Sequence, residues 1–198
     1  MVTKLIIVRH GETEENAKRI TQGHLNSQLS EKGKEQAQKL ALRLKDEKID
    51  CCYSSDLDRC MNTAKKIIEL HSNSKIVSSS ELREQAKGTS EGQPHNVVYA
   101  KFHQENVPYH LWDYEGGETF VQLSKRTIKF IEKIRAENFG KTILVVTHGG
   151  NIRALLAHIN NDDLAETRQY QAKNTEVTII TYENGVAKIE IMNNGEHL

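Results

Sequence analysis

Two short apolar segments constrain the fold most strongly, because each of them stops abruptly at a histidine. Residues 4–8 form a β-branched run that ends at Arg9-His10, and residues 143–147 form a second such run that ends at His148. Runs of this length that are apolar throughout are typical of strands buried on both faces of a parallel sheet. Such sheets bind ligands beyond the carboxyl ends of their strands. The sequence therefore predicts that Arg9, His10 and His148 lie at one edge of a sheet.

Helical patterns follow the first strand and alternate with a second one. After Ser30, which is a suitable N-cap, apolar residues recur at helical spacing and fade near Asp50. Residues 51–54 then predict a brief strand, and residues 56–70 predict a second helix with an apolar face. We expect the strand at residues 51–54 to lie next to the first strand of the sheet.

The second half of the chain repeats this alternation. Thr119 and Gln122 match a capping box ahead of the clearest helix, and another helix is predicted to begin at Gly149. Residues 176–181 and 186–191 are predicted to form a closing β-hairpin. Strands that alternate with helices favour an α/β fold, here a three-layer α/β/α sandwich with a mostly parallel sheet.

Length and composition limit the classes of protein. A chain of 198 residues favours one domain, residues 1–198, in which residues 85–117 form an insertion or lid over the site. Basic and acidic residues number 27 each, so no net charge attracts nucleic acid or an anionic membrane. The clustered Cys51, Cys52 and Cys60, and the shortness of the first apolar run, indicate a cytoplasmic protein. A monomer and a homodimer both stay open.

The residues at the strand ends meet the requirements of a phosphate site. A dianionic monoester needs several donors, at least one planar guanidinium, and backbone N–H groups at the start of a helix. Arg9 supplies a guanidinium, and Gly149 begins a helix. Arg59 lies near the start of the helix predicted for residues 56–70, from which its side chain would reach the same rim.

Two histidines and one glutamate would provide the chemistry. A neutral imidazole is a competent nucleophile, and nearby arginines disfavour the cationic form, so we expect His10 to accept the phosphoryl group. His148 would donate a hydrogen bond to the transferring oxygens, and would do so best as a cation. An alcohol leaving group needs a proton, for which Glu84 is the candidate. Five further histidines show no metal-ligand spacing, so no metal is expected: His71, His95, His103, His110 and His158.

Seven motifs spread along the chain carry a resemblance to a known family. In chain order they are Arg9-His10-Gly11-Glu12-Thr13, Asn16, Gln22-Gly23, Leu29-Ser30-Glu31-Lys32-Gly33, Ser54-Ser55-Asp56-Leu57-Asp58-Arg59, Leu82-Arg83-Glu84 and Thr147-His148-Gly149-Gly150. Their order and spacing resemble the histidine phosphatase, or phosphoglycerate mutase-like, superfamily and cover most of the chain. The resemblance implies a phosphatase that hydrolyses phosphomonoesters through a phosphohistidine.

The resemblance also implies roles for individual residues. His10 would be the phosphorylated nucleophile and Glu84 the proton donor, with no cofactor. The residues implied to bind phosphate are Arg9, Arg59 and His148, and those implied to line the substrate side are Asn16, Gln22 and Gly23. These implied roles agree with those inferred from the residues themselves.

The segment of residues 85–117 bears on the substrate. It contains two lysines against four acidic residues, Glu91, Glu105, Asp113 and Glu115, which would make a poor lining for a second anionic group. Five of the chain's eleven aromatic residues also lie there, either as a pocket wall or as packing of the segment itself: Tyr99, Phe102, Tyr109, Trp112 and Tyr114. The segment therefore favours a phosphomonoester with an apolar or aromatic body.

Three alternatives to this phosphatase stay open. Phosphoglycerate mutase is disfavoured because the mutases of this family usually have a longer and more cationic insertion. A sugar-bisphosphate phosphatase, such as one acting on fructose 2,6-bisphosphate, would share the catalytic residues. A non-catalytic phosphate-binding module is disfavoured because His10, Arg59, Glu84 and His148 are all present.

Overall fold

A six-stranded sheet forms the centre of the computed structural model, which describes residues 1–71 and 75–198. The strands are β1 (Thr3–Arg9), β2 (Cys51–Ser55), β3 (Ile76–Ser79), β4 (Thr142–Thr147), β5 (Val177–Glu183) and β6 (Val186–Asn194). They lie in the order β3-β2-β4-β1-β5-β6. β1 to β4 are parallel, and β5 and β6 are antiparallel to their neighbours. The prediction of a mostly parallel sheet is confirmed.

Helices cover both faces of this sheet. Those of the described residues are α1 (Glu14–Ala17), α2 (Glu31–Leu44), α3 (Asp58–Ile68), α4 (His95–Glu105), α5 (Phe120–Glu137) and α6 (Gly149–Asn160). α2 and α3 pack on one face, and α5 and α6 pack on the other, which confirms the three-layer α/β/α architecture. In the parts of the chain that the structure describes, no helix has the length and apolar character needed to cross a bilayer.

The register between β1 and β4 positions the two strand-end histidines. β1 is buried on both faces, and its apolar side chains alternate between the two helical layers. β1 and β4 run parallel with Arg9 opposite Thr147. The next residue of each strand, His10 and His148, therefore leaves the same edge of the sheet side by side.

Two expectations about the other half of the sheet are wrong. β2 does not lie next to β1, because β4 is hydrogen-bonded between them. α3 begins at Asp58, two residues later than expected, because Leu57 has an extended N-cap backbone. The structure also contains β3 and α4, which the sequence patterns did not predict. β3 is a four-residue edge strand, and α4 buries only Val98 among its described residues, so neither leaves a strong periodic pattern.

Several local signals are confirmed. The Ser30 hydroxyl accepts a hydrogen bond from the Gly33 N–H at 3.1 Å, and Thr119 and Gln122 form both bonds of a capping box. The final hairpin turns at Asn184-Gly185, where φ is 50° and 82°. Two consecutive positive φ angles are those of a type I′ turn, for which this residue pair is favoured.

Gly33 lets the loop after β1 lie against the first turn of α2. A Cβ at this position would lie 1.9 Å from the Glu12 carbonyl oxygen. Alanine in place of glycine normally stabilises a helix by about 1 kcal/mol, but here we expect Gly33→Ala to destabilise the protein by about 1–3 kcal/mol. Thermal unfolding followed by circular dichroism measures the shift, with Lys34→Ala on the exposed side of the same turn as the control. A melting temperature at or above that of the unsubstituted protein would contradict the prediction.

Candidate active site

His10 and His148 lie side by side at the carboxyl edge of the sheet. The backbone N–H of His10 donates to the Thr147 carbonyl at 3.0 Å, and the two imidazole ring centroids lie 5.1 Å apart. Both side chains are almost inaccessible to solvent, with 3% and 0% of their surface exposed. The parallel register therefore brings together two histidines that are separated by most of the chain.

The surroundings of His10 favour a neutral ring with a defined tautomer. Its Nδ1 lies 2.7 Å from the Gly11 carbonyl oxygen, an acceptor, so Nδ1 carries the proton and the lone pair is on Nε2. Burial, and then the positive charges of Arg59 and Arg9, hold the pKa of His10 well below its ordinary value. His10 is thus in the neutral form that the predicted role as a nucleophile requires.

His148 is also neutral in the free protein. Arg59 donates its Nε–H to His148 Nδ1 at 3.3 Å, and His148 Nε2 lies 2.9 Å from the Ser55 hydroxyl. Burial, followed by Arg59 and His10, holds the pKa of His148 well below its ordinary value. The free protein therefore does not hold His148 in the cationic form that would serve best, because burial and then the charge of Arg59 disfavour a second positive charge here.

Arg59 is held rigidly beside the histidines. It is the second residue of α3. The backbone N–H of the first residue, Asp58, donates to Asn26 Oδ1 at 2.9 Å. The two terminal nitrogens of Arg59 each donate to a carbonyl oxygen at 2.7 Å, one of Leu25 and one of Gly23. With 1% of its surface exposed, Arg59 presents its charge to the site from a fixed position.

Arg9 has donor capacity left for a ligand. One terminal nitrogen donates to the Ala172 carbonyl at 2.8 Å, whereas the buried Nε has no hydrogen-bond partner among the residues that the structure describes. A Cβ at Gly149 would lie 3.7 Å from this Nε, so Arg9 lies against the first turn of α6. The guanidinium and the amino end of a helix thus converge, as predicted for a phosphate site.

Glu84 reaches the same cavity from the segment after β3. The Gln85 N–H donates to one of its carboxylate oxygens at 2.8 Å, and the Gly150 N–H donates to the other at 3.1 Å. Burial by itself would raise the pKa of Glu84, but the charge of Lys87 and these two N–H groups outweigh it, and the pKa lies below its ordinary value. A Cβ at Gly150 would lie 2.1 Å from a Glu84 carboxylate oxygen, so a larger residue at this position would displace the carboxylate. Glu84 is therefore ionised in the free protein.

Arg126 of α5 holds the backbone that carries Glu84. Its guanidinium donates to the carbonyl oxygens of Glu81, Arg83 and Glu84 at 2.8, 2.8 and 2.9 Å, and to a carboxylate oxygen of Glu118 at 2.7 Å. The sequence contained no signal for this role, because an arginine within an amphipathic helix is usually a solvated charge.

The residues expected on the substrate side take part in local structure as well. Asn16 Oδ1 accepts from the Thr13 N–H at 3.2 Å, and Gln22 Oε1 accepts from the Thr13 hydroxyl at 3.1 Å. Gly23 has a φ of 50° and offers its carbonyl to Arg59. All three predicted residues line the cavity, and their contact with substrate stays a prediction.

Residues 85–117 form much of the cavity wall. The cavity has a volume of about 190 Å³, and all five aromatic residues singled out in this segment line it. Three of them also pack on one another: the Trp112 ring lies 5.1 Å from that of Phe102 and 4.2 Å from that of Tyr114. The two interpretations of these aromatic residues, wall and internal packing, therefore both hold.

The expected acidic lining is wrong. Within residues 1–71 and 75–198, none of the four acidic residues of the segment lines the cavity. Glu91 instead accepts from a backbone N–H of Lys87 at 3.0 Å, and Glu105 accepts from Trp112 Nε1 at 2.6 Å. Lys87 lines the cavity, and so does Arg153 of α6. Sequence reasoning missed both, although Arg153 lies four residues, about one helical turn, after Gly149.

Comparison with known proteins agrees with this geometry. The profile of the "Histidine phosphatase superfamily (branch 1)" matches residues 5–195. Phosphoserine phosphatase 1 of Hydrogenobacter thermophilus is 31% identical over 197 residues, which cover 96% of this chain and 93% of that protein.

Solved structures agree as well. Bacillus stearothermophilus YhfR superposes with a TM-score of 0.92 at 29% identity, over 98% of both chains. A phosphoserine phosphatase from Entamoeba histolytica, solved in complex with 3-phosphoglyceric acid, superposes with a TM-score of 0.87 at 26% identity, also over 98% of both chains. Because the profile match spans nearly the whole chain, this protein belongs to the histidine phosphatase superfamily, branch 1.

Proposed function

We propose that this phosphatase hydrolyses phosphomonoesters by transferring the phosphoryl group to Nε2 of His10. The observation that carries the proposal is the buried, neutral His10, whose Nδ1 proton is bound by the Gly11 carbonyl. The Nε2 lone pair attacks phosphorus, a P–N bond forms, and the bond between phosphorus and the alcohol oxygen breaks. Water then attacks the phosphohistidine and releases inorganic phosphate.

The charges around His10 match those of the substrate. Arg9 and Arg59 contribute two positive charges, while His10 and His148 contribute none, so the phosphate end of the cavity suits a dianion. In the transition state negative charge spreads over the equatorial oxygens, where the unpaired Nε–H of Arg9 supplies a ready donor. We assign phosphate binding to Arg9, Arg59, His148 and Gly149.

Protonation of the leaving alcohol is assigned to Glu84, although this carboxylate is ionised in the free protein. The proton would enter with the substrate, because a phosphomonoester with a second pKa near 6 is partly a monoanion at neutral pH. Transfer of that proton to Glu84 gives the acid needed for bond cleavage. The same carboxylate, once ionised again, would take a proton from the attacking water in the second step.

The surroundings of the site support further assignments. We propose that residues 85–117 act as a lid of a single domain, since they form much of the cavity wall. The balanced charge supports an enzyme that binds small phosphomonoesters and not nucleic acid. The three free cysteines support a cytoplasmic location. We propose that the enzyme is a monomer or a homodimer. Light scattering coupled to gel filtration would distinguish the two oligomeric states.

A trapping experiment tests the route through His10. We expect exhaustive chelation to leave kcat/KM within about twofold, because the proposed chemistry uses no metal ion. Quenching a turning-over reaction should give an acid-labile, alkali-stable phosphate, which peptide mapping places on His10. Activity that disappears on chelation and returns with a divalent ion would contradict the mechanism.

A further inference from the structure

The Ser55 hydroxyl lies against one ring nitrogen of His148. Ser55 is the last residue of β2 and is fully buried, and its Oγ lies 2.9 Å from His148 Nε2. Active-site histidines are commonly oriented by a carboxylate. In the described parts of the chain, however, no carboxylate lies within ion-pair distance of His148. A neutral hydroxyl thus has the position that an acidic group often takes.

The hydrogen bonds on the two ring nitrogens define the tautomer of His148. A guanidinium only donates, so the bond from Arg59 Nε–H to His148 Nδ1 at 3.3 Å places the lone pair on Nδ1. Nε2 then carries the proton of the neutral ring and donates it to Ser55 Oγ. The Cys60 sulfur lies 3.4 Å from the same nitrogen, but sulfur is the weaker acceptor.

The Ser55 hydroxyl also has an acceptor for its own hydrogen. It donates to Cys60, whose Sγ–H in turn donates to the Thr147 carbonyl at 3.5 Å. Burial raises the pKa of Cys60 to about 12, so the thiol keeps its proton. Four hydrogen bonds therefore run in one direction through a chain of five residues, in the order Arg59, His148, Ser55, Cys60 and Thr147. In such a chain each bond polarises the next and fixes which group donates.

This chain leaves only Nδ1 of His148 for a phosphate oxygen. Ser55 occupies Nε2, whereas Nδ1 faces Arg59, which is assigned to the same ligand. Nδ1 has no proton in the free protein and cannot donate, so a proton from solvent must add to its lone pair and give the imidazolium. The Arg59 Nε–H and the new Nδ1–H can no longer bond to each other, and an anionic oxygen beside them would accept from both.

The charges around His148 favour this proton only when an anion is bound. The titratable and charged groups that act on the ring come from α3, from the end of β1 and from α5, and all are positive or neutral: Arg59, Cys60, Arg9, His10 and Arg126. Burial and these charges hold the pKa of His148 well below its ordinary value. A bound dianion offsets the charges of the two nearest arginines and raises that pKa.

We propose that Ser55 is a positioning residue for phosphoryl transfer, which holds the Nε2–H of His148 so that Nδ1 takes up a proton and donates a hydrogen bond to the bound phosphate. The assignment rests on the proposed function, in which His148 binds phosphate. Ser55 has no exposed surface and acts through His148 without touching the substrate.

NMR of the wild-type protein with ¹⁵N-labelled histidine tests the inference without a substitution. Sulfate is the probe, because this tetrahedral dianion neither gives nor takes a proton near neutral pH, and its inhibition of hydrolysis measures its binding. We expect a neutral ring with the proton on Nε2 in the free protein, and an imidazolium at saturating sulfate. Comparison with His148→Asn identifies the signals. A ring that stays neutral at saturation, in either tautomer, would overturn the inference.

Substitutions at two neighbouring serines assign the effect to Ser55. Ser55→Ala leaves Nε2–H with only a sulfur acceptor, so we expect kcat to fall about 10- to 100-fold, the size of a lost hydrogen bond to a charged group. His148 should then stay neutral in sulfate. Ser55→Thr keeps a hydroxyl and should restore most of both properties. Ser54→Ala is the matched control, because it removes an equally buried hydroxyl that donates to the Ser55 carbonyl, and it should retain wild-type kcat.

The outcomes separate this inference from the proposed function. If sulfate binds and His10 is phosphorylated while His148 stays neutral, the role of Ser55 is wrong and the phosphatase function stands. If sulfate produces the imidazolium but no phosphohistidine can be trapped, the route through His10 is wrong, and Ser55 still positions His148 in an anion-binding site. Equal kcat losses in Ser55→Ala and Ser54→Ala would assign Ser55 to the packing of β2 and would also overturn the inference.

Discussion

Replacing His10 by alanine is expected to lower kcat for phosphomonoester hydrolysis on the order of 10⁴-fold or more, because the nucleophile that accepts the phosphoryl group is lost. The acid-labile phosphate should disappear with it. Steady-state kinetics with a reactive aryl phosphate measures the first effect, and acid-quench trapping measures the second. His158→Ala, which removes an exposed histidine of α6, is the matched control and should retain wild-type activity.

Two further measurements show whether His10→Ala acts on chemistry alone. Inorganic phosphate should still bind the variant, since Arg9 and Arg59 remain; retained turnover together with retained binding would contradict the nucleophile assignment.

Stability should also respond to pH. Because the pKa of folded His10 is depressed, the unfolded chain alone takes up a proton below about pH 6.5, and wild-type stability falls as the pH drops through that value. The variant lacks this contribution. As the pH is lowered from 7 to 5, the melting temperature of the variant should therefore rise relative to that of the wild-type protein.

Replacing Glu84 by glutamine should slow the hydrolysis of alkyl phosphate esters far more than that of aryl phosphate esters. A general acid contributes about 10²- to 10⁴-fold, and we expect a kcat loss of that size for an alkyl ester. An activated aryl ester such as p-nitrophenyl phosphate releases a phenolate that needs no proton, so its loss should be about tenfold or less. Stopped assays on both esters measure the difference, with Glu81→Gln on the exposed side of the same segment as the control.

The pH profile provides an independent check on Glu84. Lys87 and two backbone N–H groups keep the carboxylate ionised in the free protein, so the reactive complex needs a proton from the substrate monoanion. We therefore expect wild-type kcat/KM for an alkyl ester to fall as the pH rises above about 6, the second pKa of a phosphomonoester. Equal losses on alkyl and aryl esters in Glu84→Gln would assign this residue a structural role in place of proton donation.

Much of the site was predictable because it follows from strand ends. The apolar runs before Arg9-His10 and before His148 predicted two parallel strands, and the register of β1 against β4 brings these residues together. The capping residues Ser30 and Thr119 likewise predicted where α2 and α5 begin. Each of these signals depends on residues close together in the chain, and local backbone geometry is the same wherever the segment packs.

Other groups of the site left no such signal. Lys87 belongs to a segment with more acidic than basic residues, and Arg126 occupies an ordinary position of an amphipathic helix. In a sequence, neither differs from a solvated surface charge. Their roles become visible only through contacts with residues far along the chain, such as that of Lys87 with Tyr114 and that of Arg126 with the Glu84 carbonyl.

The sequence by itself thus determined the kinds of elements, the caps that begin α2 and α5, and the histidines at the two strand ends. Only the tertiary structure decided that β4 separates β1 from β2, that His148 is neutral, and that Lys87 faces the cavity while the acidic residues of its segment do not. The physical reason is the distance along the chain over which each effect acts. Caps and apolar periodicity act over a few residues, whereas strand order, desolvation and the charge felt by a buried group depend on neighbours brought together from the whole chain.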